Sequence, residues 1–262
     1  MMKHLIEICL PGTVFMFLAM LLPYQSIAQG DGVIENGKIE FERTENAYYY
    51  LDNYYGGFSV DMKKYADDYK SNFPKFKNTT FVLDFDTRQS YYHPKSNTEI
   101  KFDFLSQFAS VNSVEINFDQ NRTISQKNIL GISYLVVDSA KNIQWKITGE
   151  TREIAGFLCR RANAVIADSI YVVAFYTDQI LAKGGPELFV GLPGMILGVA
   201  LPNEHITWFA KNYSPEVKKD VLGSVKRIGR PIDAKGLDDV IKSDVNTKSS
   251  ILKNFVRRRA IF

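Results

Sequence analysis

The sequence predicts a mainly β protein with minor α content, built as a curved antiparallel sheet or an incomplete barrel. A two-sheet β-sandwich is the alternative. Short segments of alternating apolar and polar residues recur along the chain, and Asp, Asn or Gly residues separate them as turns would. No helix of about 10 to 15 residues separates the segments at 115–118, 123–137 and 143–147, which disfavours a parallel βαβ architecture. After Ser214 the sequence becomes Lys-rich, and a partly helical tail is predicted there.

The first 28 residues are predicted to form a signal peptide. An apolar run at 14–22 is followed by Ser26 and Ala28, which form a small-residue cleavage site before Gln29. The run is shorter than the roughly 20 apolar residues that a membrane-spanning helix needs, and no cysteine follows it directly, as a lipid anchor would require. We therefore expect an exported protein, periplasmic or associated with the outer membrane. It is expected to be soluble, without an integral membrane segment after cleavage.

The mature chain is predicted to be one β-rich domain at 29–213, with a basic tail at 214–262 that packs on the same domain. The tail contains 12 Lys and Arg residues against 6 Asp and Glu residues, which is typical of a solvated helix face and less often of a surface for an acidic partner. Nucleic acid is not expected as a partner. Cys159 is the single cysteine after the signal peptide, so no internal disulfide is expected and the apolar core must hold the fold.

Two strands and one helix are predicted before residue 95. They are a strand at 37–50, a helix from Ser59 to about Ser71, and a strand at 79–92 that places Phe81, Leu83 and Phe85 on one face. Ile39 and Phe41 alternate with charged residues in the first strand. Ser59 can cap the helix, and Pro74 lies just beyond its end.

Seven further β segments and two tail helices are predicted. The β segments are 115–118, 123–137, 143–147, 157–167, 169–177, 195–201 and 205–213, and the helices are 237–241 and 249–260. Residues 170–176 are apolar on both faces, which is typical of a strand covered on both sides. Arg257, Arg258 and Arg259 lie where cations favour a helix C-terminus.

The segment Gly191-Leu192-Pro193-Gly194 is predicted to form a type II turn. Proline restricts its own φ to about −65°, and the following glycine can adopt a positive φ, which is what such a turn requires. This chemistry favours a purely structural role. The alternative is that the glycines allow a ligand to approach the backbone at the rim of a cavity.

Residues 145–199 contain several motif elements in a characteristic order. The defining positions are Trp145, Gly156, Cys159, Tyr176, Gly185, Pro186, Gly191, Leu192, Pro193 and Gly194. In this order they resemble the GLPGLI family of secreted Bacteroidota proteins, a family without an established biochemical activity. Met195 stands in place of the motif's second leucine, a change of similar volume. The resemblance implies export, structural roles for the ten positions, and association with an outer-membrane transport or barrel protein.

No standard catalytic or metal-binding motif is present in the sequence. Cys159 lies in a predicted apolar strand, where a buried and inert thiol is expected. His93 and His205 follow the signal peptide, and neither is predicted to have a carboxylate that would orient it. Two isolated histidines and one cysteine give no recognisable metal-ligand spacing. Asp84 and Asp86 are expected on a solvent-exposed strand face.

We therefore expect a protein that is not an enzyme, has no metal or other cofactor, and acts as a binding or carrier module together with outer-membrane proteins. A concave apolar sheet covered by helices would offer a cavity for a small apolar ligand, whose contact residues the sequence does not identify. The alternatives are a structural envelope protein and a thiol enzyme that uses Cys159. A collapsed sheet interior would favour the former, and a buried Cys159 would disfavour the latter.

Overall fold

A computed structural model describes residues 32–55, 60–95, 112–167, 169–215, 225, 227–244 and 250–262. Residues 33–262 group into one compact unit. The predicted signal peptide and the predicted helix cap Ser59 lie outside the described residues. Within the described residues, no helix is long and apolar enough to cross a membrane.

The described part of the chain contains twelve strands and four α-helices. The strands are β1 (Gly37–Asn46), β2 (Phe76–Phe85), β3 (Gln89–Pro94), β4 (Ser113–Asn117), β5 (Arg122–Ile129), β6 (Ile132–Ser139), β7 (Lys146–Ile154), β8 (Phe157–Ile166), β9 (Ile170–Thr177), β10 (Met195–Leu201), β11 (Ile206–Ser214) and β12 (Arg230–Ile232). The helices are α1 (Ala47–Tyr50), α2 (Val60–Asn72), α3 (Ala234–Asp244) and α4 (Ser250–Ala260), with a π-helical turn at Leu51–Tyr55 and a 3₁₀ turn at Pro202–Glu204.

All twelve strands belong to one sheet, in the order β12-β6-β5-β4-β3-β2-β1-β11-β10-β9-β8-β7. The short strand β12 pairs with β6 in parallel, and the remaining neighbours are antiparallel. The sheet is open, with β12 and β7 at its edges. The mainly β fold class is therefore confirmed, and the two-sheet sandwich is not the architecture.

The first predicted strand was extended too far, because β1 ends at Asn46. The side-chain oxygen of Asn46 accepts a hydrogen bond from the backbone N–H of Tyr49 at 3.1 Å and caps α1. Tyr48, Tyr49 and Tyr50 are therefore helical rather than extended. Alternation alone predicted the strand, and the local capping bond overrides it.

Two segments that were predicted as single strands are hairpins. Between β2 and β3, the side chain of Asp86 accepts hydrogen bonds from the backbone N–H groups of Arg88 and Gln89, at 2.7 and 2.9 Å. Such bonds stabilise a turn within the chain's alternating pattern. Between β5 and β6, Leu130 and Gly131 both adopt positive φ values, 51° and 84°.

Residues of the tail lie in the same apolar core as the sheet. Phe255 and Val256 of α4 are buried. The ring of Phe262 packs against Phe189 and Trp208, with centroid separations of 6.3 and 5.6 Å. Because α4 and the residues after it cover the inner face of the sheet, they also form one wall of the cavity described below.

Candidate functional site

Trp145 holds the loop that contains the Gly-Leu-Pro-Gly motif. Its indole N–H donates a hydrogen bond to the carbonyl oxygen of Val190 at 2.8 Å. Gly191 follows at a φ of 94°, and a Cβ atom there would lie 3.6 Å from the indole nitrogen of Trp145. The indole therefore packs directly against a backbone position that favours glycine.

The turn at Pro193 is tighter than the predicted type II turn, so that prediction is wrong. The backbone N–H of Gly194 donates to the carbonyl oxygen of Leu192 at 2.9 Å, which closes a three-residue γ-turn around Pro193. Gly194 has a φ of 153°, and a Cβ atom on it would lie 2.0 Å from the carbonyl oxygen of Thr177. The close approach of β9 to the start of β10 therefore leaves no room for a side chain.

The other motif positions are buried or lie in turns. A Cβ atom on Gly185 would lie 2.8 Å from both the Cβ atom of Ile196 and the carbonyl oxygen of Phe189. Gly156 occupies the β7–β8 turn at a φ of 84°. Pro186, Leu192 and Tyr176 are buried. The ten motif positions are all in the described part of the chain, and none of them lines the cavity described below.

Cys159 is fully buried on β8. Burial raises the pKa of its thiol to about 12, and the thiol donates a hydrogen bond to the carbonyl oxygen of Phe157 at 3.5 Å. A nucleophilic cysteine needs a lowered pKa and an accessible thiolate. Cys159 is instead buried and the pKa of its thiol is raised, so both features lower its reactivity.

His93 does have a carboxylate partner, contrary to the sequence prediction. Its Nε2 lies 3.1 Å from Oδ2 of Asp84, and its Nδ1 lies 2.9 Å from the carbonyl oxygen of Pro94. Asp84 is 2% exposed, so its predicted place on a solvent-exposed face was also wrong. The antiparallel pairing of β2 with β3 brings the two residues together across the hairpin that Asp86 initiates. His205 instead packs its ring on Tyr49, with ring centroids 3.8 Å apart.

A buried ion cluster lies where β1 meets α4. Nη1 of Arg43 lies 2.9 Å from Oε1 of Glu45, and Nη2 of Arg259 lies 2.7 Å from Oε2 of the same carboxylate. None of the three residues is more than 1% exposed. Burial alone would raise the pKa of Glu45, but the two guanidinium groups outweigh it and hold the pKa below its ordinary value. Glu45 therefore remains a buried anion.

A second buried polar group surrounds the backbone of Phe262. Asn112 donates through Nδ2 to Oε2 of Glu187 at 2.9 Å and to the carbonyl oxygen of Phe262 at 3.2 Å. The ammonium group of Lys127 donates to the same carbonyl oxygen. Burial lowers the pKa of Lys127 to about 8, although Glu187 opposes this effect. No pattern in the sequence predicted a role for these residues, although Glu187 lies within the motif segment at 145–199.

A cavity of about 610 Å³ lies between the sheet and the tail helices. Its apolar lining comes from both layers and comprises Val136, Ile170, Leu188, Leu237, Ile241 and Ile261. Strand β5 contributes a polar stripe to the same cavity, formed by Thr123, Ser125 and Lys127, which are 3%, 2% and 1% exposed. Every second residue of a strand faces the same side, so a simple core would place apolar residues at these positions.

A second lysine lies at the same end of the cavity as Lys127. The ammonium group of Lys141 donates to the carbonyl oxygen of Ile261, the residue beside the acceptor of Lys127. Burial lowers the pKa of Lys141 to about 8, and Asp138 partly opposes this effect. The electrostatic repulsion of Lys141 also lowers the pKa of Lys127, and the two ammonium groups donate to the main-chain oxygens of neighbouring residues. Within the described residues, no group of three or more His, Cys, Asp or Glu side chains could hold a metal ion.

Comparison with known families and structures supports the fold and leaves the activity open. Residues 164–198 match a family described as "Protein of unknown function (Porph_ging)". This stretch extends from β8 to β10 and contains seven of the ten motif positions, from Tyr176 to Gly194. No curated protein matches the chain.

The chain is similar in structure to PNGF-II. Its structures in space groups P21 and C2 give TM-scores of 0.52 and 0.51, with 16% sequence identity in each case. Each alignment covers 80% of this chain and 33% of PNGF-II, so the chain spans about a third of the length of that protein. At this level of identity the similarity shows a shared fold alone.

Proposed function

We propose that this protein is a non-catalytic binding module of the GLPGLI type that holds a small ligand in the cavity between the sheet and the tail helices. The polar stripe of β5 carries this proposal. Thr123, Ser125 and Lys127 are almost completely buried, yet they line a cavity of about 610 Å³. This volume is typical of small-molecule sites, and polar and apolar residues share the cavity lining.

A purely structural role accounts for the hydrogen bonds that Thr123 and Lys127 donate to main-chain oxygens, but not for the open cavity beside them. Burying polar side chains lowers stability unless each one gains a partner, and an apolar strand would cover the helices at less energetic cost. A sheet interior that had collapsed onto α3 and α4 would have favoured the structural alternative, whereas a cavity lies there.

A thiol enzyme is disfavoured by the surroundings of Cys159, which is fully buried and has a raised pKa. The dyad of His93 and Asp84 is the arrangement that most resembles catalytic geometry among the described residues. However, Nδ1 of His93 faces the carbonyl oxygen of Pro94. Both ring nitrogens therefore face hydrogen-bond acceptors, and neither contact activates a nucleophile.

Binding of phenylnaphthylamine, a neutral apolar fluorophore, tests the proposal. We expect a saturable rise in fluorescence with the unmodified protein. Ile241→Trp would fill the cavity from α3, and it should abolish the rise while leaving the sheet folded. Asp239→Trp places the same side chain on an exposed position of α3 outside the cavity lining, so it is the matched control.

The proposal fails if the fluorophore shows no saturable binding. It also fails if a folded Ile241→Trp variant binds as well as Asp239→Trp does. Should Ile241→Trp not fold, Leu188→Trp fills the cavity from the opposite wall and gives the same comparison.

The family resemblance and the N-terminal pattern support two further proposals. The protein is exported to the periplasm or outer membrane, and it acts together with an outer-membrane transport or barrel protein. N-terminal sequencing of protein from a periplasmic fraction should begin at Gln29 or within a residue or two. Mature protein that retained Met1 would contradict export by signal cleavage.

A further inference from the structure

We propose that the ligand of this cavity is a small amphiphilic anion whose acidic head group binds Lys127 and Lys141 and whose apolar body lies along α3 and α4. This inference rests on the proposed binding function and names the chemistry of the ligand. Lys127 and Lys141 both line the cavity, and both donate to the backbone of adjacent residues, Phe262 and Ile261. The two ammonium groups therefore share one end of the cavity.

Each of these ammonium groups has unused hydrogen-bonding capacity. A lysine ammonium has three donors, and the structure shows one hydrogen bond from each, to a main-chain oxygen. Among the described residues, neither lysine forms a salt bridge with a carboxylate. An acidic head group would provide both charge and acceptors at this end. A carboxylate has two oxygens, which is enough to accept from both lysines.

The other charges around the cavity are already paired. Arg257 lies 2.6 Å from Asp238, and Arg258 forms a salt bridge with Glu204. Asp138 is the single carboxylate of the cavity lining near the two lysines, and it partly offsets the charge of Lys141. The carboxylate of Glu187 also acts on Lys127, although Glu187 lies outside the cavity lining. Within the lining itself, the two ammonium groups lie near Asp138 alone, which favours an anionic ligand over a cationic one.

The opposite walls exclude a simple inorganic anion as the best ligand. Leu237 and Ile241 of α3, Ile261, and Val136, Ile170 and Leu188 from the sheet side present apolar surface. A phosphate or sulfate would contact the lysines and leave this surface uncovered. An alkyl chain attached to the acid would cover it and add a favourable contribution for each methylene group that it buries.

Competition with bound phenylnaphthylamine tests the head group and the chain separately. Dodecanoate, dodecanol and dodecyltrimethylammonium have the same chain and differ in charge. Acetate, hexanoate and dodecanoate keep the acid and extend the chain. We expect dodecanoate to displace the fluorophore at concentrations about 10 to 100 times lower than dodecanol does, because the ammonium groups add charge-assisted hydrogen bonds. Acetate and inorganic phosphate should displace little.

The Lys127→Met and Lys141→Met variants locate the head group. Each should reduce the preference for dodecanoate over dodecanol, and the double variant should remove it while still binding the fluorophore. Lys253→Met, on an α4 lysine outside the cavity lining, is the control.

If dodecanoate binds no better than dodecanol, or if the double variant keeps the preference, the inference is overturned and cavity binding remains valid. If the fluorophore itself does not bind, the proposed function fails. Lys141 is less buried than Lys127, so Lys141→Met gives the test if Lys127→Met does not fold.

Discussion

The motif region at β7 to β10 and the polar region where β1 and β5 face α4 are buried in different ways. In the motif region, glycines and apolar side chains allow backbones to approach closely, as at Gly194 beside Thr177. In the polar region, charged groups are buried together, as at Glu45 between Arg43 and Arg259. The Gly-Leu-Pro-Gly motif therefore lies in the scaffold, whereas the buried charged groups lie largely outside it.

Glu187 connects the two regions. It lies within the motif segment at a φ of 54°, and its carboxylate accepts a hydrogen bond from Asn112 beside Phe262. A positive φ is uncommon for a residue other than glycine, asparagine or aspartate. The backbone of the scaffold thus holds an acidic group in the polar region.

The largest expected effect is that of Glu45→Gln, which leaves two buried guanidinium groups without their anion. We expect it to lower the free energy of unfolding by about 3–5 kcal/mol, measured by urea denaturation. Glu42→Gln is the matched control, because Glu42 lies on the same strand and pairs with Lys211 at the surface. Its effect should stay within about 0.5 kcal/mol. Equal effects of the two changes would show that the buried ions are not the stabilising feature of this region.

Gly194→Asn tests the scaffold. Asparagine tolerates the left-handed region at a φ of about 60°, but the φ of 153° at Gly194 lies outside that region. The backbone dihedral and the close approach of Thr177 therefore both oppose the change. The structure predicts a loss of about 3 kcal/mol or more, because any Cβ atom would collide with the carbonyl oxygen of Thr177. Gly194→Val should be at least as damaging.

Gly131→Asn is the control for this comparison. Gly131 also has a positive φ, 84°, but no atom lies within 4 Å of the position of its Cβ. Its melting temperature should therefore change little. If Gly194→Asn were as mild as Gly131→Asn, close approach would not be the reason for the glycine.

Lys127→Met tests the polar region through the dependence of stability on pH. The pKa of Lys127 is about 8 in the folded state, against 10.5 as its ordinary value. Between these values the unfolded chain binds the proton and the folded chain does not, so the free energy of unfolding rises with pH. As the pH rises from about 8 to about 10.5, the free energy of unfolding of the unmodified protein should increase by on the order of 1–3 kcal/mol relative to that of Lys127→Met.

Denaturation of both proteins at a series of pH values between about 7.5 and 10 gives this difference. The contribution of Cys159 is present in both proteins and cancels. Lys141 is coupled to Lys127 by charge repulsion, so the same series on Lys141→Met and on the double variant separates the two lysines. A difference that does not change with pH would mean that Lys127 keeps an ordinary pKa in the folded protein.

Cys159→Ser is expected to have the smallest effect, a loss of about 1–2 kcal/mol, because the hydroxyl group is more polar than the buried thiol that it replaces. Native Cys159 should also react with a chromogenic disulfide reagent far more slowly than the unfolded chain does, because its thiol is fully buried and its pKa is raised. Equal rates in the folded and unfolded states would reopen the thiol-enzyme alternative.

Sequence periodicity predicted most of the elements, because strand and helix patterns are local. The predicted strands at 157–167, 169–177 and 195–201 correspond closely to β8, β9 and β10, and the tail helices to α3 and α4. The prediction failed where a single polar side chain changes the path of the backbone, as Asn46 and Asp86 do. Alternation does not contain that information, although both residue types are known to form such bonds.

The polar stripe of β5 was partly visible in the sequence. Thr123, Ser125 and Lys127 are alternate residues of a predicted strand, so their side chains lie on the same face. Polar side chains on the inner face of a sheet indicate a binding site rather than an apolar core. The sequence by itself did not determine which face of that strand would be covered.

The sequence alone thus determined the β-rich class and the helical tail, because these depend on patterns a few residues long. It did not determine why Gly194 is needed, because the carbonyl oxygen of Thr177 that leaves no room for a Cβ atom comes from another strand. The tertiary structure decided which polar groups meet. Glu45 meets Arg259 across 214 positions, and Lys127 meets the carbonyl oxygen of Phe262 across 135. Such contacts follow from the strand order and from the packing of α4 on the sheet. No local pattern encodes them, because the partners become neighbours only when the whole sheet has formed.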